Sequence, residues 1–312
     1  MRKILITGSG GLIGSDLFDA LRASYGDENV IASDIRNTHE ARRFEFLDIR
    51  DRGRLKTILE KYDVGSVYHL AGLLSAGGEK NPGLAWEINL NGLMNVLDEA
   101  REFDCKVFWP SSIAVYGPTT PKIRVPQHTS FEPETVYGIT KMTGELLCKY
   151  YHDKFGVDVR SLRYPGINGW KGDPGDGTTE YAMHIFYSAF RENAYECFLS
   201  PDTRLPMMYI DDAIRGTIEL MAAPRENLTE RMAYNFAAIN FTPAELVEEV
   251  KSLFPGFRIT YKPDVRQEIA ATWAQSIDDS AARRDWGWKE AYDLGKMAKA
   301  LYSGIKGRIY HG

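Results

Sequence analysis

Cysteine is scarce in this 312-residue sequence: Cys105, Cys148 and Cys197 stand far apart and form no metal-type pair. That scarcity excludes a disulfide-built scaffold and favours a reducing compartment. No apolar run approaches the ~20 residues of a membrane helix. No block of Lys or Arg stands out, and the formal charge is −5, which argues against nucleic acid or an anionic membrane as partner. Internal repeats and low-complexity tracts are absent, so solenoids, rods and wholesale disorder are excluded. The opening Met1-Arg2-Lys3-Ile4-Leu5-Ile6-Thr7-Gly8 leads straight into a strand and a glycine turn, with no room for a signal peptide. The expectation is a cytoplasmic globular protein without a metal site.

What is present is an alternation of short apolar runs and amphipathic stretches. Arg2–Thr7, Asn29–Ser33, Ser66–His69, Lys106–Pro110 and Asp158–Tyr164 read as strands. Helices are expected over Leu12–Tyr25, Arg52–Lys61 (after a short Phe44–Leu47 strand), Asn81–Phe103 and Val136–Phe155. This order predicts an α/β fold, a mainly parallel sheet with helices on both faces. After Tyr164 the composition changes. Gly166–Gly177 is glycine-rich and reads as a loop, followed by helices over Tyr181–Asn193 and Asp211–Ala222. Thr242, Pro243 and Glu245 spell a capping box at the start of another helix, and Arg258–Gly312 is expected to end in two more. The division expected is a dinucleotide-binding domain over 1–165, with a return near 205–237, and a smaller substrate-binding lobe over most of 166–312.

Gly8, Gly11 and Gly14 follow the first strand and open the first helix. Such spacing suits a tight turn, close backbone approach to a pyrophosphate and a helix N-terminus aimed at it, as in a Rossmann doubly wound sheet. Glycine turns also serve packing alone. Asp34, ending the second strand, can accept hydrogen bonds from ribose hydroxyls and repel a 2′-phosphate, which favours NAD over NADP; a solvated turn Asp is the plain alternative. Arg36 can pair with a phosphate, and Asp48 can reach an adenine amino group or merely close a turn.

Tyr137 and Lys141 are four residues apart on an expected helix, hence on one face. An ammonium about 4 Å from the phenol would lower its pKa by roughly three units at an effective dielectric near 20, making Tyr137 a usable base. Tyr and Lys at this spacing also occur by chance. Against chance stand Ser111 and Ser112 at the end of a strand, where catalytic groups of open α/β sheets collect.

With these motifs in this order, the chain resembles the extended short-chain dehydrogenase/reductases, the group that includes nucleotide-sugar epimerases. The resemblance runs over nearly the whole chain and includes His69-Leu70-Ala71-Gly72, Asn89, Ser112 and Tyr137-x-x-x-Lys141. It implies Tyr137 as acid/base, Lys141 holding the nicotinamide ribose and Ser112 orienting the reacting oxygen. It also implies a cofactor wall of Gly8, Gly11, Leu12, Ile13, Gly14, Asp34, Asp48, Ile49, Leu70, Ala71, Gly72, Asn89 and Tyr164 beside Tyr137 and Lys141. Within the family, the stretches Gly72–Pro82, Arg163–Ile167, Pro174–Ala182 and Leu205–Asp212 are most similar to the branch that oxidises L-threonine at its 3-hydroxyl with NAD; Trp170-Lys171 departs from that branch. The substrate contacts expected are Ser75, Ser111, Ser112, Tyr137, Gly177, Thr178 and Thr179, with the glycine-rich loop as a lid and Trp273 as a possible wall. The resemblance further implies a homodimer built on the Asn81–Phe103 and Val136–Phe155 helices. Two rivals remain at this level. A nucleotide-sugar 4-epimerase or dehydratase would need cations for a diphosphate, with Arg204 available. A non-catalytic NAD sensor would need no Ser, Tyr and Lys set.

Overall fold

The computed structural model describes residues 2–37 and 43–311. Alternating apolar runs and helices build the first half. The elements are β1 (Lys3–Thr7), α1 (Leu12–Tyr25), β2 (Val30–Asp34), β3 (Phe44–Phe46), α2 (Arg52–Tyr62) and β4 (Val64–His69). There follow α3 (Ser75–Lys80), α4 (Pro82–Trp86), α5 (Gly92–Phe103), β5 (Lys106–Ser112), α6 (Val136–Phe155) and β6 (Val159–Tyr164). The second half adds β7 (Gly166–Asn168), α7 (Tyr181–Glu192), β8 (Ala194–Cys197), β9 (Leu205–Tyr209), α8 (Ile210–Ala222) and β10 (Tyr234–Asn235). It ends with β11 (Ile239–Phe241), α9 (Pro243–Leu253), β12 (Arg258–Tyr261), α10 (Val265–Thr272), α11 (Ser280–Trp286) and α12 (Leu294–His311).

Among the described residues the main sheet has seven parallel strands in the order β10-β6-β5-β4-β1-β2-β3. The order reverses between β1 and β4, and a crevice opens there at the carboxyl ends of the strands. Side chains alternate across this sheet. Leu5, Val67, Val107 and Trp109 pack against α2, α5 and α6 on one face. Ile4, Ile6, Phe108 and Leu162 face the other way, into a core that continues through Phe186, Phe241, Leu246 and Leu301. The C-terminal lobe therefore shares its core with one face of the sheet. β9 joins β7 and β11 in a separate three-stranded sheet, while β10 returns to the main one.

Three local expectations need correction. The Asn81–Phe103 stretch is not one regular helix: Asn81 caps α4 by accepting from Leu84 N, and a π turn over Glu87–Asn91 precedes α5. That wide turn brings Asn89 against Leu73 and Thr140. The glycine-rich stretch begins as strand β7, not loop, because it pairs parallel with β9, and at Gly166 a Cβ would lie only 2.4 Å from the Met207 sulfur. Beyond Arg258 there are three helices, α10 and α11 being separated by Trp273–Asp279. The capping box at Thr242 and Glu245 forms as the sequence predicts. Among the described residues no helix is long and apolar enough to cross a membrane. All three cysteines are free and buried.

Candidate active site

Two cavities lie at the carboxyl ends of the strands, and consecutive residues Leu73 and Leu74 line one each. The first, of about 350 Å³, is built on the glycine turn. Gly8 has φ +71°, and a Cβ there would lie 2.5 Å from Ala71 N; at Gly14 a Cβ would lie 2.2 Å from Gly8 O. Gly8 thus lets β4's continuation close over the turn, and Gly14 lets α1 lie directly on it. No side chain caps the N-terminus of α1 at Gly11. The N–H groups of its first turn, those of Leu12, Ile13 and Gly14 included, are left for an anion. A pyrophosphate fits this cradle.

Gly8, Gly11, Asp34, Asp48, Ile49, Leu70, Ala71 and Gly72 all line this cavity. Asp34 accepts from Gly10 N at 3.0 Å and from Arg36 N at 3.3 Å, so its carboxylate stands at the lip of the turn. Asp48 is gripped by Arg50, which holds its carboxyl below the usual range. Leu12, Ile13 and Gly14 are not among the residues that line this cavity, and the Leu12 side chain packs on Gly169 and Gly172. Two more expected cofactor residues have their side chains directed elsewhere. Tyr164 points away, between Phe108 and Phe236, with its hydroxyl on Thr217. Asn89 is buried, with its amide on the backbone N–H and C=O of Leu73, so it shapes the wall without lining it.

The second cavity, of about 390 Å³, brings together Ser75, Ser112, Tyr137, Gly177, Thr178, Thr179 and Trp273. Ser112 closes β5, and its Oγ accepts from Ala114 N. Thr135 caps α6 by accepting from Gly138 N and so sets Tyr137 in the first turn of that helix. The Tyr137 phenol shares the cavity wall with Ser112, whose hydroxyl favours the ionised phenol. Behind it Lys141 is buried, its Nζ donating to Pro110 O at 2.6 Å and lying 4.6 Å from the Trp109 ring centre.

Ser111 is not among the cavity residues. Its side chain leaves the strand on the Trp109 side and donates to Glu145 at 2.5 Å, so the paired serines do different jobs. The expected electrostatics also change. Lys141 stands 5.5 Å from the Tyr137 ring centre and turns to a carbonyl, so burial dominates. It pushes the phenol up to about 12, the Ser112 hydroxyl acting against it, and pulls the Lys141 ammonium down to about 8.

Residues the sequence analysis missed also line this cavity: Glu79, Thr135, Glu180, Arg266 and Ile269. Thr135 carries a readable signal, an N-cap residue before a helix; Arg266 and Ile269 lie on α10, remote in sequence. Arg266 is held by Asp264 and lies over Phe198. Glu180 accepts from Gly175 N, and burial pushes its carboxyl up. Arg204 is bonded to Glu245 and Asn240 O and does not line the cavity. Trp170 and Lys171 tether the start of the glycine-rich loop: Trp170 packs on Gly304, and Lys171 bridges Asp16 and Asp19.

A glycine turn at the switch point of a doubly wound sheet, beside a Ser, Tyr and Lys set, defines a dinucleotide-dependent enzyme acting on an alcohol or carbonyl. The profile of the NAD dependent epimerase/dehydratase family matches residues 4–237, and the chain belongs to that family. An uncharacterised epimerase/dehydratase of Staphylococcus saprophyticus is 44% identical over 99% of this chain and 98% of its own. A GalE-like L-threonine dehydrogenase from Cupriavidus necator, in its holo form, superposes with TM-score 0.95 at 51% identity, covering 97% of this chain and 100% of that one. A monomeric L-threonine 3-dehydrogenase from a metagenome gives 0.94 at 46% identity, covering 98% and 99%.

Proposed function

We infer that this protein oxidises the 3-hydroxyl of L-threonine with NAD⁺, giving 2-amino-3-oxobutyrate and NADH. The observation that carries the reading is the pairing of Ser112 with Tyr137 in a cavity sized for a small molecule and walled by small hydroxylated residues. Bound NAD⁺ supplies the hydride acceptor and a cationic ring. Ser112 holds the substrate oxygen and Tyr137 takes its proton. Lys141 anchors the nicotinamide ribose and helps to lower the phenol pKa. Ser75, Gly177, Thr178 and Thr179 serve the amino and carboxylate ends of the substrate, with Trp273 closing one side. Residues 1–165 hold most of the cofactor, and Asp34 selects NAD.

The epimerase reading needs cations for a diphosphate. Arg204 is turned elsewhere and Arg266 is paired with Asp264, which favours the amino acid. Purified protein is expected to reduce NAD⁺ with L-threonine and to prefer NAD⁺ over NADP⁺, followed by absorbance of the reduced nicotinamide. Conversion of a UDP-sugar without any threonine-dependent signal would overturn the assignment.

The homodimer belongs to the same proposal. Trp86 and Met94 on α4–α5, and Ile139, Leu146 and Tyr150 on α6, are exposed apolar residues on neighbouring helices. Sedimentation velocity should give twice the 35.3 kDa chain mass, and Leu146→Glu combined with Tyr150→Glu should halve it. A wild-type protein sedimenting as one chain would remove the dimer.

A further inference from the structure

Four consecutive β5 residues grip the catalytic face of α6. Trp109 lies beneath it and fills the space a Cβ at Gly144 would take, a ring atom being 2.3 Å from that point. The Pro110 carbonyl accepts from Lys141, Ser111 donates to Glu145, and Ser112 meets Tyr137. Glu145 is one turn beyond Lys141 and two beyond Tyr137, so all three share one face. Its carboxylate has no solvent exposure and accepts from Arg163 Nε at 2.9 Å and Nη2 at 2.8 Å. Arg163, on β6, is equally buried; its Nη1 donates to Asn235 at 2.8 Å and to Gln127 O at 2.9 Å. Phe131 covers its guanidinium, and Tyr116 donates to the same Asn235 oxygen.

A buried ion pair is weak evidence for stability, because an apolar replacement of similar volume is often neutral or better. This pair lies one helical turn from Lys141. We propose that Glu145, clamped by Arg163 and Ser111, is the positioning residue that keeps Lys141 charged and holds α6 in register with Ser112. The proposal rests on the dehydrogenase reading for the role of Lys141, though not on the identity of the substrate.

The groups facing Lys141 support it. Burial alone pulls the ammonium down, and Cys148 and, after it, Glu145 act against it. The Cys148 thiol is itself pushed far up by burial and stays neutral, so the Glu145 carboxylate is the acidic partner on this face. His69 is pushed down to about 3 by burial and by Lys141, so it is neutral as well. Trp109 and Tyr137 offer ring faces without formal charge. Removing Glu145 takes away its negative charge and leaves burial to pull the Lys141 ammonium further down.

The test compares wild type with Glu145→Gln and Ser111→Ala. Threonine-dependent turnover and NADH binding (by tryptophan quenching) are followed from pH 5 to 10, with thermal melting as the control for folding. In wild type both signals should fall as pH rises past about 8, where Lys141 loses its proton. In Glu145→Gln both falls should shift down by roughly two pH units, the effect of one charge a helical turn away at an effective dielectric near 20. Ser111→Ala keeps both charges, so its alkaline falls should stay put while kcat drops about fivefold with KM unchanged. A folded Glu145→Gln with unshifted falls would overturn the proposal, as would a Ser111→Ala enzyme with wild-type kcat. If Glu145→Gln does not fold, the Glu145→Gln, Arg163→Met double variant leaves no unpaired charge and must show a downward shift. A wild type inert toward threonine would end the substrate assignment and leave the NADH-binding curves to decide this one.

Discussion

Tyr137→Phe is expected to cut threonine-dependent NADH formation by a factor of about 10³ or more while NADH still binds. General acid–base groups contribute about 10²–10⁴ in rate, and the phenol stands with Ser112 on the cavity wall. Removing one oxygen leaves the ring and its packing, so binding of the reduced cofactor, read by fluorescence, should change less than threefold. The pH dependence follows from two opposite shifts. The wild-type rate should climb from pH 6, as oxidation requires a proton acceptor and burial holds the free phenol at about 12. Lys141 is charged below about 8 and neutral above, so the rate should fall again once that charge is lost. Retention of more than a tenth of wild-type kcat by Tyr137→Phe would move the base elsewhere.

Gly8→Ala should abolish cofactor binding at concentrations that saturate wild type. The left-handed φ of +71° costs a non-glycine residue about 1–2 kcal/mol, which alone is roughly 5- to 30-fold. The new methyl would also lie 2.5 Å from Ala71 N and 2.8 Å from Ala71 Cα, backbone atoms held by the end of β4. Relief requires the turn to separate from Ala71, which opens the cradle. An NADH titration and a melting curve together read this: affinity lost beyond 30-fold, with a lowered melting temperature. Wild-type NADH affinity in Gly8→Ala would show that the glycine turn serves packing only.

Much of this architecture is legible locally. α1 and α6 run over the residues their apolar periodicity predicts, and the Thr242 cap forms because its partners are three residues apart. Tyr137 and Lys141 share a helix face for the same reason. Ser111 and Ser112 show where legibility stops. Both end the same strand, yet one reaches the cavity and the other meets Glu145, thirty-four residues later. Tyr164 shows the same limit: its environment is Thr217 and Phe236, from elements that dock on β6 from far along the chain.

Spacings of a few residues are enough to set the doubly wound order of elements, the glycine turn and the helix that carries the Tyr and Lys. The folded chain alone settles which serine lines the cavity, that burial outweighs the Lys141 charge at the phenol, and that α10 lends Arg266 and Ile269 to the cavity wall. Those outcomes depend on desolvation and on contacts between residues far apart in the chain, and neither is encoded in any short window of sequence.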